Sequence, residues 1–149
     1  MELLLVLAII ALLTAVATPA LIGHLDERTL ELAAHAVAFD MRRAQQAAIT
    51  SGFTSEMRFY EFQHRYRMID QASGESRMIN LPAGITIHFL NFIFSKGTHN
   101  LNFLRTGAPN RGGTLCLRNR HGELRYIIVT PATGRVRVSK SPPDHWEVP

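Results

Sequence analysis

Hydrophobic and polar positions follow three regimes along this chain. Residues 3–22 (LLLVLAIIALLTAVATPALI) are twenty positions without a charge. At ~1.5 Å per residue a helix of that length spans roughly 30 Å, the thickness of a bilayer core. After Gly23 the pattern becomes one-sided. Leu30, Ala34, Val37, Met41, Ala44 and Ala48 recur at spacings of three and four, while Asp26, Glu27, Arg28, Glu31, His35, Arg42, Arg43, Gln45 and Gln46 take other faces. This predicts an amphipathic helix that continues the apolar one and stops at Gly52, a C-terminal cap. Pro19 removes one backbone hydrogen bond and its ring crowds the preceding turn, so a kink is expected there. A coiled coil is the alternative, but the apolar stripe is alanine-rich and short for one.

From Thr54 onward the helical period disappears. Short runs rich in Phe, Tyr, Ile and Val, separated by turn residues, predict antiparallel strands over 55–61, 64–70, 77–80, 85–89, 102–104, 114–118, 124–129 and 135–138. The punctuation is specific: Ala72-Ser73-Gly74, Leu81-Pro82-Ala83-Gly84, Gly107-Ala108-Pro109, Arg120-His121-Gly122 and Pro131-Ala132-Thr133-Gly134. The expected class is therefore α+β, a long helix packed on a small antiparallel sheet domain. Its expected parts are a membrane helix over 1–23, an amphipathic continuation over 24–52, a sheet domain over 53–141 and a tail over 142–149.

The apolar segment admits three readings. A secretory signal peptide accounts for the apolar run and for Ala15-Val16-Ala17, but such peptides open with positive charge and this one opens with Glu2. An ordinary single-span anchor tolerates an acid at its edge without requiring one. The third reading is a resemblance. Met1-Glu2-Leu3-Leu4-Leu5-Val6-Leu7-Ala8-Ile9-Ile10 resembles the start of a mature type IV pilin, where a lone glutamate opens a continuous apolar helix, and Pro19 is similar to the helix-kinking proline of many pilins. The family's basic leader, ending in Gly, is not among these residues, which leaves the peptidase cleavage site and the methylated residue unplaced. The resemblance implies that Glu2 pairs with the N-terminal amine of a neighbouring subunit and so sets register, since a carboxylate in an apolar filament core is costly unless neutralised. The plainer role for Glu2 is a favourable interaction with the helix N-terminal dipole.

Length and charge narrow the picture. A chain of 149 residues, a third of them in one helix, leaves room for one small domain. The net charge is +4, unevenly spread: Arg105, Arg111, Arg118, Arg120, Arg125, Arg135, Arg137 and Lys140 face a single acid, Glu123, in the same stretch. A basic half of this kind points to an anionic partner or to a strongly solvated surface. Cys116 is the only cysteine, which excludes an intramolecular disulfide and a Cys-pair metal site.

The C-terminal half resembles the GspH/FimT-type pseudopilins and the related minor pilins of competence systems. The residues that carry this are Phe103 to Gly107, Gly113-Thr114-Leu115-Cys116-Leu117, Gly134-Arg135-Val136-Arg137-Val138 and, upstream, Arg43-Ala44-Gln45-Gln46-Ala47-Ala48. The resemblance implies a non-enzymatic subunit of a type IV pilus-like filament. It would be held in the inner membrane with its N-terminus cytoplasmic, processed by prepilin peptidase, and drawn by an assembly platform into contact with other pilin or pseudopilin subunits. DNA uptake for transformation is the first service it implies, and the type II secretion pseudopilus is the alternative. A membrane-anchored enzyme is the rival from another class.

Residue chemistry gives that last rival little. Seven histidines invite a metal, but no pair falls at helical ligand spacing and none has a carboxylate arranged as in His-Glu-x-x-His. Cys116, inside a strand, reads as a small buried hydrophobe rather than a nucleophile. The glycines between Gly107 and Gly113 lack the Lys-Ser/Thr ending of a phosphate-binding loop. No catalytic residue, metal or cofactor is therefore expected. Alternation in Arg135-Val136-Arg137-Val138 puts both arginines on one face, the first choices for phosphate contact, followed by Arg118, Arg120 and Lys140. Arg–Val alternation is equally what any half-exposed strand presents, and Tyr126 is the only aromatic nearby to stack on a base.

Overall fold

The computed structural model describes the backbone of residues 2–144 and the side chains of 3–13 and 23–144. One helix, α1 (Glu2–Ser51), precedes nine strands: β1 (Ser55–Tyr60), β2 (Arg65–Asp70), β3 (Ser76–Asn80), β4 (Thr86–Leu90), β5 (Ile93–Ser95), β6 (Thr98–Phe103), β7 (Gly113–Arg118), β8 (Leu124–Val129) and β9 (Val136–Ser139). Helix α1 ends where expected: Gly52 takes φ +73 and its N–H returns to the Ala48 carbonyl at 3.1 Å, a left-handed cap that glycine adopts without steric cost. The side chains of Glu2 and Pro19 lie outside the described residues, so the register glutamate and the kink stay expectations. Among the described residues no helix is long and apolar enough to cross a membrane; residues 14–22 of the apolar segment fall outside that set.

The strands form two antiparallel sheets rather than one. A five-stranded sheet has the order β3-β2-β1-β6-β5 and a four-stranded sheet the order β4-β7-β8-β9. Strand β5 was not anticipated. It pairs with β6 through a two-residue hairpin at Lys96 and Gly97, whose φ values of +51 and +78 are those of a type I′ turn. At the other end of β1, His64 is left-handed (φ +48) and its Nδ1 accepts the Ile87 N–H at 3.3 Å, joining the β1–β2 turn of one sheet to β4 of the other.

Both sheets close on the amphipathic part of α1. The expected inner face, Leu30, Ala34, Val37, Met41, Ala44 and Ala48, is buried, and Ala33 and Ala38 join it. Five alanines on that face bring the helix backbone close to the strands, where Met57, Phe59, Leu101 and Phe103 from one sheet and Leu115, Leu117, Ile127, Val129 and Val136 from the other complete a single core. Phe59 stacks on Phe92 at 5.4 Å between ring centroids. Tyr66, also in the core, donates its hydroxyl to Asp40 on α1, and burial together with that carboxylate pushes the phenol's pKa up.

Three of the stretches that carry the sequence resemblance meet at one point. Gln45 Nε2 donates to the Gly107 carbonyl at 2.7 Å and reaches the Thr133 carbonyl at 3.5 Å. Gly134, with φ +65, sits so close that a Cβ there would lie 2.5 Å from Gln45 Nε2 and 2.6 Å from the Gly107 oxygen. The β8–β9 turn thus docks on α1 only with a glycine at 134. Gly134→Ala combines a left-handed backbone with that clash and is expected to lower stability by about 2 kcal/mol, read as a fall in melting temperature.

Candidate nucleic-acid interface

The basic half of the chain does not form one surface. Its centre meets the acids at the start of the amphipathic segment of α1. Arg125, on the core side of β8, has a side chain 5% exposed; its Nη2 donates to Glu27 at 3.0 Å and its Nε to Glu31. Lys140, just past β9, donates to the same Glu27 at 3.3 Å. Arg120, in the β7–β8 turn, donates to Asp26 at 3.0 Å, and His121 Nε2 lies 2.7 Å from the other oxygen of that carboxylate. Three helix carboxylates therefore cover three sheet cations, two of which, Arg120 and Lys140, belong to the expected phosphate contacts. Sequence gave no hint of this, because Asp26, Glu27 and Glu31 read as residues of the solvated face.

Hydrogen bonds from Lys140 and then Arg125 hold the Glu27 carboxyl below the usual range. The Arg125 hydrogen bond does the same for Glu31 and outweighs the opposing effect of burial. Burial works against the charge of Arg125, but its hydrogen bonds to Glu31 and Glu27 prevail and hold its pKa above the ordinary value. Because both carboxyls titrate lower in the folded chain than in the unfolded one, their stabilisation is complete above the unfolded value of about 4.3 and is lost as pH falls through the folded values. Glu31→Gln is expected to lower stability by about 1–2 kcal/mol at neutral pH, since a charge-assisted bond to a buried guanidinium is weakened. The variant is also expected to lose stability less steeply on acidification below about pH 5, as followed by urea denaturation across a pH series.

The remaining candidates face solvent. Arg135 precedes β9, Arg137 lies within it and Arg118 ends β7; all three are exposed, and none makes an ion pair among the described residues. The β8 register places Arg137 opposite Ile128 and Arg118 opposite Leu124, on the sheet face turned away from α1 and on the order of 15 Å apart. The inward partners Val136 and Val138 pack on the core. One residue joins this set that periodicity did not single out. Arg42 of α1 donates through Nη2 to the Val136 carbonyl at 3.0 Å, across the edge of β9, and lines a groove with Gln45, Arg135 and Arg137. Cys116 is buried, and burial pushes its thiol up to about 11. Among the described residues no three His, Cys, Asp or Glu side chains gather in a way that would hold a metal ion.

No family model and no curated protein matches the chain. Two solved structures do. The minor pseudopilin EpsH from the type 2 secretion system of Vibrio cholerae superimposes with a TM-score of 0.58 at 16% identity, over 74% of this chain and 95% of that one. The type IV minor pilin FimU of Pseudomonas aeruginosa strain PAO1 gives 0.59 at 14% identity, over 76% of this chain and 90% of that one. The fold is that of minor pilins and pseudopilins. In this pilin-like fold the long helix packed on antiparallel sheets is the arrangement expected from the sequence, and the two neighbours, one from each machine, match it equally well.

Proposed function

We propose that this chain is a non-enzymatic minor subunit of a type IV pilus-like filament that serves DNA uptake. The observation that carries the filament part of the reading is an apolar stripe on the side of α1 away from the sheets. Leu25, Leu32 and Phe39, spaced by seven, are 54%, 71% and 62% exposed, and they stand on the same helix as the exposed Leu3, Leu4, Leu5, Leu7, Ile9, Ile10, Leu12 and Leu13. An amphipathic helix that has satisfied its inner face has no internal use for a second apolar one, and a stripe of this length fits lateral packing against sister helices. Residues 3–22 hold the pool of subunits in the inner membrane, N-terminus cytoplasmic and sheets outside, with Glu2 setting register and Pro19 bending the rod. Prepilin peptidase and the assembly platform process and extract the chain. Arg135 and Arg137, with Arg118 and the added Arg42, contact phosphates without reading sequence, while Arg120 and Lys140 contribute from within their helix ion pairs.

Leu32→Glu together with Phe39→Glu is expected to leave the melting temperature unchanged and to abolish co-purification with filaments. Retained incorporation would sink the packing reading. For the DNA contact, a mobility shift of the full chain in nonionic detergent is expected to weaken steeply with salt, and Arg135→Ala plus Arg137→Ala should lower the log–log salt slope by roughly one per arginine. The second reading, a minor pseudopilin of type II secretion, is favoured by the likeness to EpsH. It takes over if the native chain gives no shift or if the double variant binds like the native chain.

A further inference from the structure

The five-stranded sheet carries a second cationic face that the sequence periodicity did not single out. Directly paired residues share a face, and the register sets Arg58 opposite Arg67 and Tyr60 opposite Arg65 on the side away from the core, while Met57, Phe59 and Tyr66 fill the core side. Asn100 and Asn102 of β6 and Met78 and Asn80 of β3 extend the same face. Among the strand residues of this face the sole acid is Glu56, and it is engaged by Arg58, whose Nε and Nη2 donate to it at 2.7 and 3.1 Å. Arg67 makes no ion pair among the described residues. Arg65 lies over the Tyr60 ring at 5.6 Å, and its buried Nε has no hydrogen-bond partner.

Like charges directly opposite across a strand pair destabilise a sheet. Near the start of the amphipathic segment of α1 the cations are matched with acids, Arg120 with Asp26 and Arg125 and Lys140 with Glu27. On this face Arg65 and Arg67 have no such match. The guanidiniums stem from positions about 5 Å apart across the strands and about 7 Å apart along β2, on an outer face that also carries Ile69, Met78 and Ile93. That spacing suits an extended partner with a charge at every unit, and the Tyr60–Arg65 pair offers a π surface beside it.

We propose that the outer face of the five-stranded sheet is a second nucleic-acid surface. Arg58, Arg65 and Arg67 take phosphates, and Tyr60, Asn100 and Asn102 take sugars and exposed bases without sequence selection. The proposal rests on the DNA reading above but uses a different sheet from Arg118, Arg135 and Arg137. With two such surfaces, one subunit grips a longer stretch of strand than either face spans.

The test titrates the full chain in nonionic detergent against mixed-sequence duplex and single-stranded DNA over a salt series. Arg65→Ala plus Arg67→Ala should weaken binding about tenfold and lower the salt slope by roughly one per arginine, in addition to the effect of Arg135→Ala plus Arg137→Ala. Arg65→Lys plus Arg67→Lys should restore the slope. If the alanine pair melts early, Arg67→Gln alone serves, with an expected loss of about one in slope. A native-like curve for these variants overturns the second surface and leaves the β9 arginines in place. No binding by the native chain overturns both, and binding of heparin but not DNA through Arg65 and Arg67 overturns the choice of ligand.

Discussion

Everything in this fold depends on one seam, the alanine-lined inner face of α1 pressed between two sheets. Ala33, Ala34, Ala38, Ala44 and Ala48 project too little to hold the helix away, so the strands approach its backbone and Leu30, Val37 and Met41 reach into one core shared by both sheets. The His64 bond to Ile87 also ties one sheet to the other. Each sheet alone would leave an apolar face in water, and the helix joins them into one unit. At the top of the seam Gln45 binds the Gly107 and Thr133 carbonyls. At its foot Asp26, Glu27 and Glu31 hold Arg120, Arg125 and Lys140.

That foot decides what the charge of the molecule can do. The C-terminal half is strongly basic in sequence, yet the cations nearest the helix are matched in place and help to hold the sheet on. On the outer faces, Arg118, Arg135 and Arg137 by one sheet and Arg65 and Arg67 on the other make no ion pair among the described residues. The apolar stripe of Leu25, Leu32 and Phe39 points the opposite way. A helix that packs inward among its sisters would leave both cationic sheet faces outward, where a long anionic strand can reach them.

The motif glycine of the Gly134-Arg135 pair illustrates how structural and functional readings divide between adjacent residues. Gly134 is explained by packing: no side chain fits between Gln45 and the Gly107 carbonyl. Arg135 next to it makes no side-chain bond among the described residues and faces solvent.

Much was legible from local periodicity. The six expected inner-face residues of α1 are all buried, the cap at Gly52 is where the pattern ends, and most strands fall within a residue or two of the expected spans, because burial of a helix or strand face imposes its own period on the residues. Strand β5 escaped because three residues are too few to show alternation and Lys96-Gly97 is a weak turn signal. The division into two sheets escaped for a different reason: the pairings of β1 with β6 and of β4 with β7 join residues far apart along the chain, and no local pattern records which strand finds which. The same holds for charge. Composition determined that the C-terminal half is basic, but only the packing of α1 decided that Arg125 is buried, that Arg120 and Lys140 are paired, and that Arg58, Arg65 and Arg67 share a face, since an ion's partner is set by distance in space and not along the chain.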